Sequence, residues 1–301
     1  MIRLGLACIF REQPIRFRRA TAVRVGRSSR REQLELLAAL CLENAHALLQ
    51  ALAYCRDHGI GDFRINSQIL PLATHPQLGY HLSDLPGHRE IEETFRRGGA
   101  LAAEHGLRTT FHPDQFVLLS SPSETVTRHS LEELRYQAEV AELVGSDVLN
   151  LHGGGAYGDK TVALERLRRR IASLPEDVRR RLTLENDDRV YTPEDLLPVC
   201  ADAGVPLVYD AHHHRCLRDG LSVEEATARA EATWDREPLF HLSSPRDGWQ
   251  AANPRPHHDY VDLADFPSCW CSLADRRALT VEVEAKAKEL AVLRLTADLA
   301  L

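Results

Sequence analysis

Six short apolar runs each end in a side chain that can ligate a metal. His112, His152, Glu185, Asp210, His241 and Glu284 close successive runs, from the third to the eighth. His213 follows Asp210 by three residues, and His257 lies in the PHHDY segment beyond His241. The 44 acids and 15 histidines fill about a fifth of the 301 positions. With three positions allowed per run end, six hits in succession have a chance probability of about 1–2%. Imidazole mixed with carboxylate suits Zn²⁺, Mn²⁺ or Fe²⁺ better than Mg²⁺ or Ca²⁺, which prefer oxygen shells. Eight donors are too many for one tetrahedral ion and enough for two or three ions sharing a carboxylate. Clusters of that kind clamp the attacking and leaving oxygens of a phosphodiester. A single such residue has ordinary duties as well, since histidines hydrogen-bond in cores and acids cap helices. The joint pattern therefore carries the argument.

These side chains need a frame that brings run ends together. Candidate strands are Ile2–Cys8, Asp62–Asn66, Leu107–Phe111, Asp147–Leu151, Leu182–Glu185, Pro206–Asp210, Leu239–Leu242 and Leu279–Glu284. Helical stretches alternate with them: Glu32–His58, Glu90–His105, Ser130–Val144, Lys160–Ser173, Pro193–Ala203, Val223–Thr233 and Ala285–Leu299. Gly59, Gly106, Gly145 and Gly204 stand where C-terminal caps belong, and Thr192-Pro193-Glu194 reads as a helix start. Eight strands alternating with helices predict an α/β fold, a single (β/α)8 TIM barrel over residues 1–301. Such barrels place their chemistry at the C-terminal ends of the strands, where the ligand-type residues stand.

Composition narrows the class further. At 44% hydrophobic and 27% charged residues the chain can bury a core, which excludes a disordered or collagen-like protein. No unbroken apolar run reaches the roughly 18 residues of a membrane span, and MIRLGLACIF reads as a first strand rather than a secretory signal. Seven scattered cysteines without a CxxC pair suit reduced thiols in a cytoplasmic protein, and Cys269 and Cys271 read as ordinary buried thiols. The net charge of −7 argues against a protein that coats nucleic acid, but its distribution is uneven. Eight arginines against the single acid Glu12 lie between Arg11 and Arg31, on the loop after the first strand. Among them Arg16, Arg18 and Arg19 are candidates for contact with a phosphate backbone. The arginines from Arg166 to Arg181 read as a solvated helix face.

Several strings, in order along nearly the whole chain, resemble the UV damage endonuclease family. They are MIRLG, FRI…LP…THP, FHPDQF, LHGGGAYGDK, LTLENDDR, D-x-x-H-H and VEVEAKAKE. The resemblance implies a metal-dependent TIM barrel related to endonuclease IV. It would cut DNA 5′ of UV photoproducts and other helix-distorting or abasic lesions, leaving a 3′-hydroxyl and a 5′-phosphate. Carried over by position, Glu185 is the carboxylate shared between ions, with Glu284, Asp210 and His241 completing one site. His112 and His152 then belong to a second ion, and His213 and His257 to a third. Two or three divalent ions are implied, with Mn²⁺ first and Zn²⁺ or Fe²⁺ as alternatives. Glu185, Glu284 and Lys160 are the implied catalytic residues, Lys160 lying near the DNA or the cluster. Gln115-Phe116 matches the family's glutamine–tyrosine pair that probes the gap opposite a lesion; the other role for Phe116 is packing beneath its loop.

Four positions depart from that family. Leu6 and Phe10 stand where tyrosine and asparagine are frequent, and Gln68 replaces a histidine ligand found in some members. Leu239 occupies the place of a carboxylated lysine that helps hold a metal. Two other readings therefore stay open, a metal-dependent sugar isomerase or epimerase and a lesion-binding protein that has lost turnover. The expected partner is damaged double-stranded DNA, without a membrane, and the expected state is a monomer.

Overall fold

Short runs rich in Val, Leu and Ile, bounded by glycine-capped helices, pair here in strict chain order. The computed structural model describes residues 1–301. Its strands are β1 (Ile2–Ala7), β2 (Asp62–Ile65), β3 (Arg108–Phe111), β4 (Val148–His152), β5 (Leu182–Glu185), β6 (Leu207–Asp210), β7 (Leu239–Leu242) and β8 (Leu279–Val283). All neighbours are parallel, and β8 closes onto β1 from Ile2↔Leu279 to Leu6↔Val283. This is the (β/α)8 barrel that the alternation of elements predicts.

The four expected cap glycines all adopt positive φ, between 64 and 72°. That conformation is strained for residues with a Cβ. Thr192 caps Pro193–Ala203 by a reciprocal hydrogen-bonded box with Asp195. Two helix starts differ from expectation by four or more residues. The helix expected from Ser130 begins at Glu124, because Ser123 caps it and the Ser130 hydroxyl is spent on the Val126 carbonyl. The helix expected from Ala285 begins at Glu289, after a loop in which Lys288 takes a φ of 55°.

Helix Arg30–Asp57 is long and apolar enough, by length and composition, to cross a membrane. A count of unbroken apolar residues misses it, because Glu43 and Asn44 interrupt the run. Here its inner face, including Leu37, Cys41, Leu48, Leu52 and Cys55, is fully buried in the core. The expectation of buried thiols fails at Cys269 and Cys271, which are half-buried and exposed. They lie two apart on helix Ser268–Ala274, whose inward face is taken by Trp270.

Strand side chains alternate between the two faces of the barrel wall. Phe63, Ile65, Phe240 and Leu242 face the helices, where each buried side chain contributes about 1.5–3 kcal/mol. The positions between them reach inward, so that Arg64 of β2 meets His241 of β7 and Thr110 of β3 meets Glu282 of β8. At the N-terminal end Arg108 bonds Asp147 at 2.8 Å and Thr280 at 3.1 Å. Part of the interior is dry, with Leu239 beside Val148, Val208 and Trp234.

The segment after β1 is long yet well anchored. Glu289, itself fully buried, accepts backbone N–H groups from Arg11 and Glu12 at 2.7 Å and from Gln13 at 3.3 Å. The Asn44 amide accepts from Arg18 N at 2.6 Å and donates to the Ile69 carbonyl at 2.8 Å. Ile15 and Val25 are buried beneath, so the arginines project from a backbone held from below.

Candidate metal centre

The eight ligand-type residues converge at the C-terminal mouth of the barrel, around the buried carboxylate of Glu185. Its Oε2 accepts from Asn150 and lies 2.9 Å from His112 Nε2, while Thr183 holds Asn150 at 2.9 Å. Its Oε1 lies 3.1 Å from His241 Nδ1 and 3.3 Å from His213 Nδ1. Asp210 divides its two oxygens. Oδ1 accepts from His213 N at 2.7 Å and caps helix Ala211–Cys216, whereas Oδ2 is left free toward the centre. Helix capping and ligation, alternatives when read from sequence, are thus open to the same side chain.

Asn186 ties this edge together, bonding Asp210 N at 3.0 Å and the Asp210 carbonyl at 2.9 Å. Glu284, the first residue past β8, lies 3.6 Å from His241 Nδ1 and 3.7 Å from His257 Nδ1. His152 stands with its ring centroid 5.0 Å from that of His112 and 5.7 Å from that of His213.

Four atoms of the cluster, His152 Nδ1, Glu185 Oε1, Asp210 Oδ2 and His241 Nδ1, are buried without any hydrogen-bond partner. Orphaned buried acceptors are costly, by about 1–3 kcal/mol each, more when charged. Two donors bound to one ion at about 2.1 Å stand about 3.0–3.4 Å apart, as Glu185 Oε1 does from His241 and His213. The residues therefore fit divalent cations. Three ligand groups are close enough to share an ion: His112, His241 and Glu284; His112, His152 and Glu185; Glu185, Asp210 and His213. These differ from the grouping implied by resemblance. Asp210 goes with His213, which its helix cap holds beside it, and His112 joins His241 and Glu284, a pair that the resemblance also places together.

The electrostatics agree with a cation site. Burial alone would raise the carboxyls. For Glu185 the charges of His241 and His152 outweigh burial, and for Glu284 those of Arg64 and His241 do, holding both well below the usual range. Burial opposes charge on His241, yet Glu185 and its other acidic neighbours push its pKa up to about 10. His213 is raised in the same way by Asp210 and Glu185. In His152 burial prevails and the pKa falls.

The remaining expected residues fall elsewhere. Lys160 begins its helix with its ammonium bonded to Asp195 and 5.5 Å from the centre of the Tyr191 ring. Its partners lie outside the cluster, because the capping box on the next helix supplies a nearer carboxylate. Gln115 and Phe116 follow His112 on the rim, and Phe116 is 76% exposed, which removes the packing role. Arg16, Arg18 and Arg19 are exposed, Arg18 pairing with Glu43 at 2.7 Å. Gln68 is exposed, 3.3 Å from Asp114, and makes no bond to the cluster. Leu6 is fully buried, and Phe10 stacks on Phe63 with centroids 5.9 Å apart, so both belong to the core. Leu239 packs in the apolar patch of the interior, where no ligand is offered.

Arg64 and Glu282 escape a search of strand ends. Period two back from Glu284 leads to Glu282, and charges inside the short buried strand DFRI point to Arg64. Arg64 Nη1 lies 2.6 Å from Glu284, and its other nitrogens pair with Glu282.

The family model described as UV-endonuclease UvdE matches residues 2–301. A UV DNA damage endonuclease of Bacillus velezensis is 36% identical over 288 residues, covering 93% of this chain and 87% of that protein. The crystal structure of SacUVDE superposes over 100% of this chain and 99% of its own at a TM-score of 0.86 and 24% identity. Endonuclease IV from Thermus thermophilus matches 83% of this chain and 94% of its own at 0.59 and 21% identity. The two structural likenesses speak to the fold, whereas the family match and the sequence identity reach further. Together with a ligand cluster at the mouth of its barrel, they make this chain a member of the UV-endonuclease family.

Proposed function

We propose that the protein is a metal-dependent DNA repair endonuclease. It hydrolyses the phosphodiester 5′ to UV photoproducts or other helix-distorting or abasic lesions, leaving a 3′-hydroxyl and a 5′-phosphate. The observation that carries this reading is the convergence of His112, His152, Glu185, Asp210, His213, His241, His257 and Glu284 around orphaned ligand atoms. Two or three divalent ions, Mn²⁺ first, are held by these residues. When bound, they supply Lewis-acid neutralisation of phosphate charge and acidify water near neutral pH.

The chain's own residues do the rest. Glu185 and Glu284 stay ionised and hold the ligand set together, both facing His241 Nδ1. Phe116, exposed beside Gln115, offers a wedge for a duplex whose stacking is already weakened, where unstacking costs least. Beside it lies a cavity of about 510 Å³, lined among others by Ala20, Gln68, Asp114 and Phe116. Ala20 belongs to the arginine segment, so wedge and backbone grip share one rim. Arg16, Arg18 and Arg19 then meet phosphates away from the lesion. The proposed setting is cytoplasmic and the working unit a monomer.

One observation favours a lesion-binding protein without turnover, namely Leu239 in its apolar nest. A 5′-labelled duplex with one cyclobutane dimer, incubated with Mn²⁺ and then with EDTA, separates the two. A metal-dependent cut just 5′ of the dimer, absent from undamaged duplex, supports the endonuclease. Retention without a cut supports the binding protein.

A further inference from the structure

The nitrogen of His241 that faces the centre is Nδ1, 3.1 Å from Glu185 and 3.6 Å from Glu284. An imidazole ligates only through a nitrogen that carries no proton, so ligation through Nδ1 requires the proton on Nε2. Nε2 points the other way, into the barrel, where Glu282 Oε2 lies 3.2 Å away. Glu282 is 1% exposed and held from three strands: Arg64 of β2 pairs with it, Thr110 of β3 donates to its Oε1, and β8 carries it. Arg64 Nη2 also points an N–H at His241 Nε2 at 3.1 Å, a bond the imidazole accepts only while that nitrogen carries no proton, so Arg64 and Glu282 compete for it. The Arg64 guanidinium already has Glu282 and Glu284 as acceptors and does not need the imidazole lone pair.

We propose that Glu282 is a positioning residue for the metal centre: it accepts the Nε2 proton of His241 and so presents Nδ1 as the ligand, while Arg64 clamps Glu282 and Glu284 in register. The inference rests on the reading of the cluster as a cation site. It adds a layer beneath the eight ligands, in which a carboxylate behind a ligating histidine sets both tautomer and ring direction. The alternative duty of Glu282 is only to balance the buried charge of Arg64. That duty fixes neither which nitrogen ligates nor how tightly an ion is held.

The test uses the full chain loaded with Zn²⁺, which is diamagnetic, and labelled with ¹⁵N-histidine. Long-range ¹H–¹⁵N spectra are expected to show His241 protonated at Nε2 and ligated at Nδ1, with His241→Gln supplying the assignment. Ligation through Nε2 with a proton on Nδ1 overturns the proposal while leaving the metal centre standing. Failure of the unsubstituted chain to bind zinc removes the centre and the proposal together. In chelator competition, Glu282→Gln is expected to weaken zinc binding by about 10–100-fold. If that variant does not fold, Thr110→Val loosens Glu282 without changing charge and is expected to weaken zinc several-fold. Unchanged zinc affinity in whichever variant folds overturns the proposal.

Discussion

Glu185 Oε1 and His241 Nδ1 face one another 3.1 Å apart in the buried mouth of the barrel, and neither atom meets the geometry of a hydrogen bond with any partner. Folding has brought an anion and an imidazole from β5 and β7 to the separation of two donors on one ion. A core histidine satisfied by its surroundings does not look like this.

Replacing the shared carboxylate should therefore disrupt the centre. Glu185→Gln is expected to lose at least one ion per chain, read by metal analysis after dialysis against excess Mn²⁺. An unchanged stoichiometry would remove Glu185 from the role of common ligand.

The histidines give a pH dependence whose sign can be worked out. Burial disfavours charge on His241, but the surrounding carboxylates raise its pKa from 6.5 to about 10. A raised pKa stabilises the metal-free fold fully below about pH 6.5, and that contribution fades as the pH rises toward 10. Metal must displace the same proton, so metal affinity should rise across this window. Calorimetry in buffers of different ionisation enthalpy should detect proton release on loading at pH 7. No release at that pH contradicts the raised value.

Phe116 should matter to damage recognition and not to stability. Its side chain is 76% exposed, so Phe116→Ala is expected to change unfolding free energy by no more than about 0.5 kcal/mol. Base–aromatic stacking is worth about 1–3 kcal/mol, so the preference for damaged over intact duplex should fall about 5–150-fold. Equal discrimination by the variant would show that another group reads the distortion.

The arginine segment predicts a salt signature. Arg16→Ala and Arg19→Ala should each lower the magnitude of the slope of log affinity against log salt by about 1, for damaged and intact duplex alike. Slopes that do not move place the backbone contacts elsewhere.

Leu239 can be tested as packing rather than ligand. Leu239→Ala opens a cavity against Val148, Val208 and Trp234 and should cost about 2–5 kcal/mol by denaturant unfolding. The ion count should stay the same. A drop in metal content at preserved stability would contradict that assignment.

Element types were legible in the sequence because strand and helix periodicities are local, as are capping signals such as Gly145 and Thr192. The ligand-type residues were legible because a barrel turns strand ends, which sequence order locates, into one face of the molecule. Glu282 and Arg64 were not, since a charge inside a strand gains meaning only when the strand across the barrel supplies its partner. The grouping of His241 with Glu284 was carried by the resemblance, but the rest was beyond reach. Asp210 sits with His213 because one carboxylate oxygen caps a short helix, and His112 comes within reach of His241 and Glu284 because barrel closure turns β3 toward β7 and β8. Leu6, Phe10 and Leu239 could be marked as departures, but whether each faced DNA, metal or core depended on how β1, the segment after it and β7 turn in the closed barrel. Residue types and their order along the chain thus determined which chemistry was available. Closure of the barrel decided which atoms stand about 3 Å apart, because that distance is set by packing between strands remote in sequence.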